Sequence, residues 1–499
     1  MVFFNLGGGV WSCSLSMILL NYNCGITSYV LYIINNVDSI GSGAYAFATL
    51  SLMLGLLIGQ IIFGIFGDTF GRKRSFQGSA LLLFLGSFLS IFSGITSSNR
   101  ATIAEFSCFR FIVGLGAGGM YPLVAAIARE TSQEDLANTK VALVFGPYGS
   151  LGLILAPLVV WIMTHFEGLN DDYKWRIILA IGAIPVPLLM ITDYEETLDP
   201  TKQYDFSAAC ANWFVSLTLF KNELSVGFHS PTLRSYFIGS SLSWFFSDIL
   251  HYGNILMQAK FLENLLKEDP YDDDYVFSIN SLALMGIAAA TCFWIGGMIS
   301  VPALREVSAL ALQLHGFALT SAAFFLVCLS KVLLPSTWWP LTIILYALTY
   351  IFNGFGPAPT TFLIPSLLFP PSIRSTANGL AAAIGKLGSI AGIGLGGYIG
   401  LEISNLMACF GAVALMGVGT TLLLIQANFK KSLSKSGELT SNNEGGVLSR
   451  PKNRNRSPPK QRRLDRKQYS DLSTVEEEEL GSHDSFNDTK GFVVSYDEV

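Results

Sequence analysis

Three ionisable side chains stand inside long apolar runs, where a folded chain rarely keeps a charge: Arg110, Asp248 and Lys386. A charge at a bilayer centre costs about 2.5–3.5 kcal/mol on insertion scales, so such residues are read as working groups or as the partners of one. Asp248 shares a helix face with Trp244 and Tyr252, which lie at i−4 and i+4 in Trp244-Phe-Phe-Ser-Asp248-Ile-Leu-His251-Tyr252. A carboxylate there can exchange a proton, because burial and a neighbouring cation pull its proton affinity in opposite directions. The bland alternative is a salt bridge that only orders helices. Lys386, in Ala382-Ala-Ile-Gly385-Lys386-Leu-Gly388, offers positive charge to an oxyanion or neutralises Asp248. Tyr and Trp add neutral donors. Arg110, one turn before Gly114, is read as structural or as a proton relay. His251 and His315 are lone histidines, packing residues first and proton sites second.

A second constellation is Gly64-Ile-Phe-Gly67-Asp68-Thr-Phe-Gly71-Arg72-Lys73-Arg74. Its glycines permit a tight turn and close helix approach, and its acid and basic pair can latch two elements together. Read without that role, it is a basic loop that sets membrane orientation. The chain has no GxxxxGK[ST] and no metal-type CxxC among its seven scattered cysteines. No nucleophile–base constellation appears. An enzyme, an ATP-driven pump and a cofactor are therefore not expected.

The elements that must hold these residues follow from charge and apolarity. The 499 residues are 51% hydrophobic and 13% charged, with a net charge of −5. The charges are uneven: residues 428–499 hold 25 of the 67. Soluble domains carry roughly one charge in four residues, and the body of this chain carries far fewer. It reads as a membrane protein with a polar tail, with no basic nucleic-acid surface. A spanning helix needs about 20 apolar residues. Twelve segments qualify: roughly 11–36, 42–66, 77–97, 103–128, 140–165, 176–193, 235–260, 277–303, 307–331, 338–368, 376–400 and 402–427. A β-barrel is excluded, since these runs do not alternate with period two. The expected class is an all-α membrane protein of two six-helix halves, 1–193 and 235–427, joined by a cytoplasmic loop at 194–234.

Lys and Arg in the even-to-odd connections place both termini in the cytoplasm, with the acidic stretch Glu268–Asp274 opposite. The first basic residue is Arg72, so a cleavable signal peptide is not expected. Trp213, Phe214 and Phe220 suggest an amphipathic helix on the inner membrane face. Residues 428–499 turn from basic to acidic and are expected to be disordered. The Pro-containing stretch at Gly356-Pro357-Ala-Pro359 must break its helix.

The loop at 64–74 resembles the signature loop of the major facilitator superfamily. The resemblance narrows with Arg110-Phe-Ile-Val-Gly114-Leu-Gly-Ala-Gly-Gly-Met120-Tyr121-Pro122, the Trp244 to Gly253 segment, Phe355 to Phe362, Arg374 to Gly379, and Ala382 to Gly388. Together these are similar to the phosphate:proton symporters of fungi and plants. The resemblance implies an anion pocket lined by Tyr121, Trp244, Asp248, Tyr252 and Lys386, and gating at Gly64, Gly67, Asp68, Gly71, Arg72 and Lys73; the buried charges themselves put proton coupling at Asp248 and Arg110. The resemblance implies alternating access, with proton-coupled uptake of inorganic phosphate or a related small anion, and the plasma membrane is the expected site. The chain departs from that pattern at Met120, where the family has an acid, and over residues 17–37, which contain none. Ala358 replaces an asparagine. The alternatives are a carrier of a sugar or organic ion, and a transport-inactive nutrient sensor that signals through its tail.

Overall fold

The computed structural model describes residues 8–38, 42–94, 99–191, 230–266, 278–397 and 402–444, with the single position 225. The first six spans are α1 (Gly8–Asp38), α2 (Ser42–Phe70), α3 (Arg72–Ser90), α4 (Asn99–Glu130), the pair α5 (Glu134–Leu143) and α6 (Gly149–Thr164), and the pair α7 (Asp171–Ala183) and α8 (Leu188–Ile191). The second six are α9 (Pro231–Leu266), α10 (Ile279–Ala303), α11 (Ala309–Leu333), the pair α12 (Trp339–Phe355) and α13 (Pro357–Leu368), α14 (Arg374–Gly397) and α15 (Ile403–Glu444). Two compact units divide the chain at Lys430 and Lys431. The cavity and the latch described below lie in the first.

Ten of these spans among the described residues are long and apolar enough to cross a membrane by composition. The other two are α3 and α9, and their sequences explain why. α3 opens on Arg72-Lys73-Arg74. α9 carries Ser240, Ser241, Ser243, Ser247, Asp248, His251 and Asn254 through its middle, of which Ser247, Asp248 and His251 line the cavity below. α9 starts at Pro231, so it takes in the last residues of the expected 194–234 loop. α15 runs on to Glu444, past the expected end at 427. The Trp213–Phe220 helix, the Glu268–Asp274 loop and the tail from 445 lie outside the described residues.

In the first half α2 and α3 pack on α4, and α1 packs on α6; in the second, α9 packs on α14 and α10 on α12. The halves meet where α2 lies on α14 and α6 on α10. Backbone-to-backbone contact makes the α2–α4 seam. A Cβ at Gly118 would stand 2.2 Å from the Leu56 carbonyl, and one at Gly114 would stand 2.4 Å from the Leu52 carbonyl. Small residues at such seams supply the packing that drives helix association in lipid. Gly118→Ala is accordingly expected to destabilise by about 1–3 kcal/mol through overpacking. A lowered thermal midpoint of detergent-purified protein checks it; an unchanged midpoint would mean that the seam can open without loss.

Two spans are broken in mid-course. The fifth relaxes into a π-helical turn, Val144–Tyr148, around Pro147. The tenth breaks at Gly356, as its prolines require: Pro357 and Pro359 have no N–H to donate. Gly356 there meets α11 at Gly316, where a Cβ would lie 2.4 Å from the Gly356 Cα.

Candidate substrate cavity and its latch

The loop at 64–74 forms a charged latch between the halves. Gly71 has φ 95°, a left-handed turn that lets α2 run directly into α3. Asp68 is ion-paired with Arg72. Its carboxylate also accepts the N–H groups of Ser375, at 3.2 Å, and Thr376, at 2.7 Å, from the first turn of α14. A carboxylate at a helix N-terminus is favoured by the unpaired N–H groups and the helix dipole. Arg72 donates to the Pro371 carbonyl at 2.8 Å and to Glu130 at 3.2 Å. Glu130 in turn holds Arg374 at 2.8 Å. Gly64 and Gly67 give the room: a Cβ at Gly64 would be 3.0 Å from the Ser375 carbonyl, and one at Gly67 would be 2.6 Å from Ser375 Oγ. Lys73 is half-buried at the start of α3. Sequence reasoning missed Glu130, whose only signal is an acid at the end of α4 beside Arg129.

A cavity of about 370 Å³ lies between the halves, lined from both of them. Four of the five expected pocket residues line it: Tyr121, Asp248, Tyr252 and Lys386. Lys386 Nζ donates to Asp248 Oδ2 at 2.8 Å and to the Tyr252 hydroxyl at 3.0 Å. Ser389 donates to the same carboxylate oxygen at 2.9 Å. Lys386 Nζ also stands 5.6 Å from the centre of the Tyr121 ring. The ion pair is sheltered, with Asp248 7% and Lys386 4% exposed. Ser389 was missed, although i+3 from Lys386 puts it on the same helix face.

Trp244 does not line the cavity. Its indole is buried against Gly385, where a Cβ would lie 2.4 Å from the ring, and it meets Phe362 edge-on with centroids 4.5 Å apart. Phe362 is the hub of an aromatic floor: Phe145 stacks on it at 3.9 Å and Tyr121 at 5.4 Å. The π-helical turn carries Phe145 and the broken tenth span carries Phe362, so both irregularities deliver a ring to this floor. Asn378 donates to the Phe362 carbonyl at 3.3 Å, between the latch contacts of α14 and Lys386 further along it. The floor therefore separates cavity from latch. At its far end the cavity reaches Tyr29, Tyr32, Gln258 and Tyr350.

Arg110 lies outside the lining, fully buried. It donates to Ser90 Oγ at 2.6 and 3.2 Å and to the Asn23 carbonyl at 3.2 Å, tying α4 to α3 and α1. His251 lines the cavity, its ring against Tyr252 and Phe293. His315 is exposed on α11.

This architecture matches known transporters. The family model for the sugar (and other) transporters fits residues 10–193 and 262–436. The chain belongs to that family. Its fold is the twelve-helix major facilitator fold, and it is an integral, multi-pass membrane protein of a transporter family, not an enzyme. Among relatives, an inorganic phosphate transporter 1-11 of Oryza sativa subsp. japonica is 31% identical over 391 residues, 68% of this chain and 67% of that one. A probable inorganic phosphate transporter 1-6 of Arabidopsis thaliana is 28% identical over 87% of this chain and 92% of its own length. Inorganic phosphate transporter PT2 of Toxoplasma gondii is 27% identical over 75% of this chain. The chain spans only 63% of that relative's length. Among solved structures, the proton:xylose symporter XylE bound to 6-bromo-6-deoxy-D-glucose superimposes with a TM-score of 0.65 at 16% identity, over 82% of this chain and 94% of that one. Partially occluded, inward-open XylE from E. coli gives 0.60 at 16% identity, over 82% and 95%.

Proposed function

We propose that this sugar (and other) transporter family member is a secondary active carrier. It moves inorganic phosphate or a related small anion together with a proton. The observation that carries this reading is the buried cluster of Lys386, Asp248, Tyr252 and Ser389 facing a cavity between the halves. In the empty state Asp248 occupies the cation. A proton arriving on Asp248 weakens its hold on Lys386, and the anion takes the freed ammonium and the Tyr252 hydroxyl. Anion and proton thus favour one another's binding, which is the thermodynamic content of coupling. The phosphate transporters among the relatives support the choice of anion.

The signature loop supplies the gate. The latched end is the cytoplasmic end in this reading, with both termini on that side, and the plasma membrane is the expected site. Breaking the ion pairs of Asp68, Arg72, Glu130 and Arg374 lets the halves rock and opens the cavity through its aromatic floor. Binding at mid-membrane between two rocking halves is the general plan of such carriers.

The deciding experiment reconstitutes the protein in liposomes and follows labelled phosphate entry with and without an inward proton gradient. Entry that rises with the gradient is the expected result; no entry under either condition rejects the substrate. A second reading is a carrier of a sugar or organic ion. It is favoured by the neutral groups at the far end of the cavity, where the Tyr350 hydroxyl meets Gln258 Oε1 at 3.3 Å. Competition by sugars and organic anions in the same assay tests it.

A further inference from the structure

The seam of α2 on α14 runs between the cavity and the latch, and polar side chains are shut inside it. Gln60 stands one helical turn from Leu56, which lines the cavity, and one turn from Gly64, which meets α14. The helices touch backbone to backbone there. A Cβ at Gly379 would lie 2.3 Å from the Gln60 carbonyl, and the Thr376 hydroxyl donates to the Gly64 carbonyl at 3.3 Å. Gln60 is fully buried, and neither its amide nitrogen nor its amide oxygen has a hydrogen-bond partner. Among the described residues no other side-chain amide is buried with both ends unpaired. On α14, Ser375 Oγ and Asn378 Oδ1 are buried and unpaired as well. Ser375 reaches the latch through its N–H to Asp68, and Asn378 reaches the floor through the Phe362 carbonyl.

A glutamine amide can donate twice and accept twice, and a buried one that does neither carries the full cost of its lost hydration. A methionine fills a similar volume without that cost. The closed seam therefore works against itself. The ion pairs of Asp68, Arg72, Glu130 and Arg374 draw it shut, while the unpaired atoms inside it gain partners once water reaches them.

We infer that Gln60, Ser375 and Asn378 are a counterweight to the latch: parting α2 from α14 wets their unpaired groups, and this keeps the ion-paired closed state from becoming a trap. Gln60 is the principal member, a positioning residue that sets the ratio of open to closed latch without touching cargo. The inference rests on the reading of the latch as the gate between rocking halves. A group whose free energy differs between two states shifts their populations by that difference, whatever the carrier binds.

The test uses the full purified chain. Gln60→Met is expected to raise the thermal midpoint. In a Glu130→Gln background, with spin labels at Gln133 and Pro371 of an otherwise cysteine-free chain, it is expected to lower the open fraction by about tenfold. Gln60→Asn, which keeps an amide in the seam, is expected to leave the open fraction near that of its parent. Ser375→Cys in a cysteine-free chain reads the wetting itself. A charged, membrane-impermeant thiol reagent is expected to label it faster when Glu130→Gln is present, while Ser79→Cys, buried against α4 within one half, stays unlabelled. A midpoint or open fraction unmoved by Gln60→Met overturns the inference, as does equal closure by Gln60→Asn or an unreactive Ser375→Cys in both backgrounds. Labelled phosphate entry on the same variants separates this from the carrier reading. Entry with an unmoved latch overturns the counterweight and leaves carriage standing; a moved latch without entry upholds the counterweight and rejects the substrate.

Discussion

Lys386→Met is expected to abolish anion transport, and Asp248→Asn is expected to uncouple it from the proton gradient. The two side chains are joined at 2.8 Å and sheltered from solvent, so each single change leaves the other charge or its hydrogen-bond partners without a partner in a poorly solvated place. Breaking a buried ion pair from one side destabilises by about 3–5 kcal/mol. Losing a hydrogen-bonded charge from a binding site costs about 2–5 kcal/mol, so anion entry should fall by about two orders of magnitude. The double variant D248N/K386M removes both charges. It should regain most of the stability and none of the transport, and that split separates a working pair from one that only orders helices. Uptake in proteoliposomes and thermal midpoints in detergent provide the two readings. Transport by Asp248→Asn that stayed fully pH-driven would remove Asp248 as the proton site.

The second large effect belongs to the latch. Glu130 bridges Arg72 of the first half and Arg374 of the second, which are 2% and 9% exposed. Glu130→Gln leaves two guanidiniums from opposite halves facing one another, with Asp68 the acid that remains beside them among the described residues. Coupling energies of this kind are about 1–3 kcal/mol, so the population with the latch open should rise by roughly 5–150-fold. Spin labels on the exposed positions Gln133 and Pro371 of an otherwise cysteine-free chain report the distance across the latch end. A longer, broader distribution in Glu130→Gln is the expected result. An unchanged one would mean that Asp68 and the first turn of α14 close the latch alone.

The sequence carried the site along individual helices and lost it between them. Trp244, Asp248 and Tyr252 could be put on one face because helical spacing is periodic, and Lys386 could be named as a counter-charge because ions inside an apolar chain are costly. Ser389 was within reach of the same argument. Phe145 and Phe362 were not: aromatic residues are common in apolar spans, and what singles these out is stacking across the two halves at 3.9 Å. Trp244 is the opposite case, since it shares the face of Asp248 and Tyr252 but its indole packs on Gly385 and Phe362, outside the cavity lining. Glu130 reads as a polar end of helix until α14 is brought against it. The break at Gly356 was legible, because missing N–H groups are a property of the residues themselves. The π-helical turn was not, since Pro147 alone does not say how the chain absorbs it.

Arg110 has a consequence for membrane voltage. In an alternating carrier the field falls across whichever end is closed, so a fixed charge beside the cavity crosses part of it at every reorientation. On the carrier reading, that charge belongs to the protein and not to its cargo, so it moves in the loaded and the empty steps alike. One elementary charge through the whole field is worth about 2.3 kcal/mol per 100 mV. The electrical potential then weights one facing of the carrier against the other through a single buried arginine.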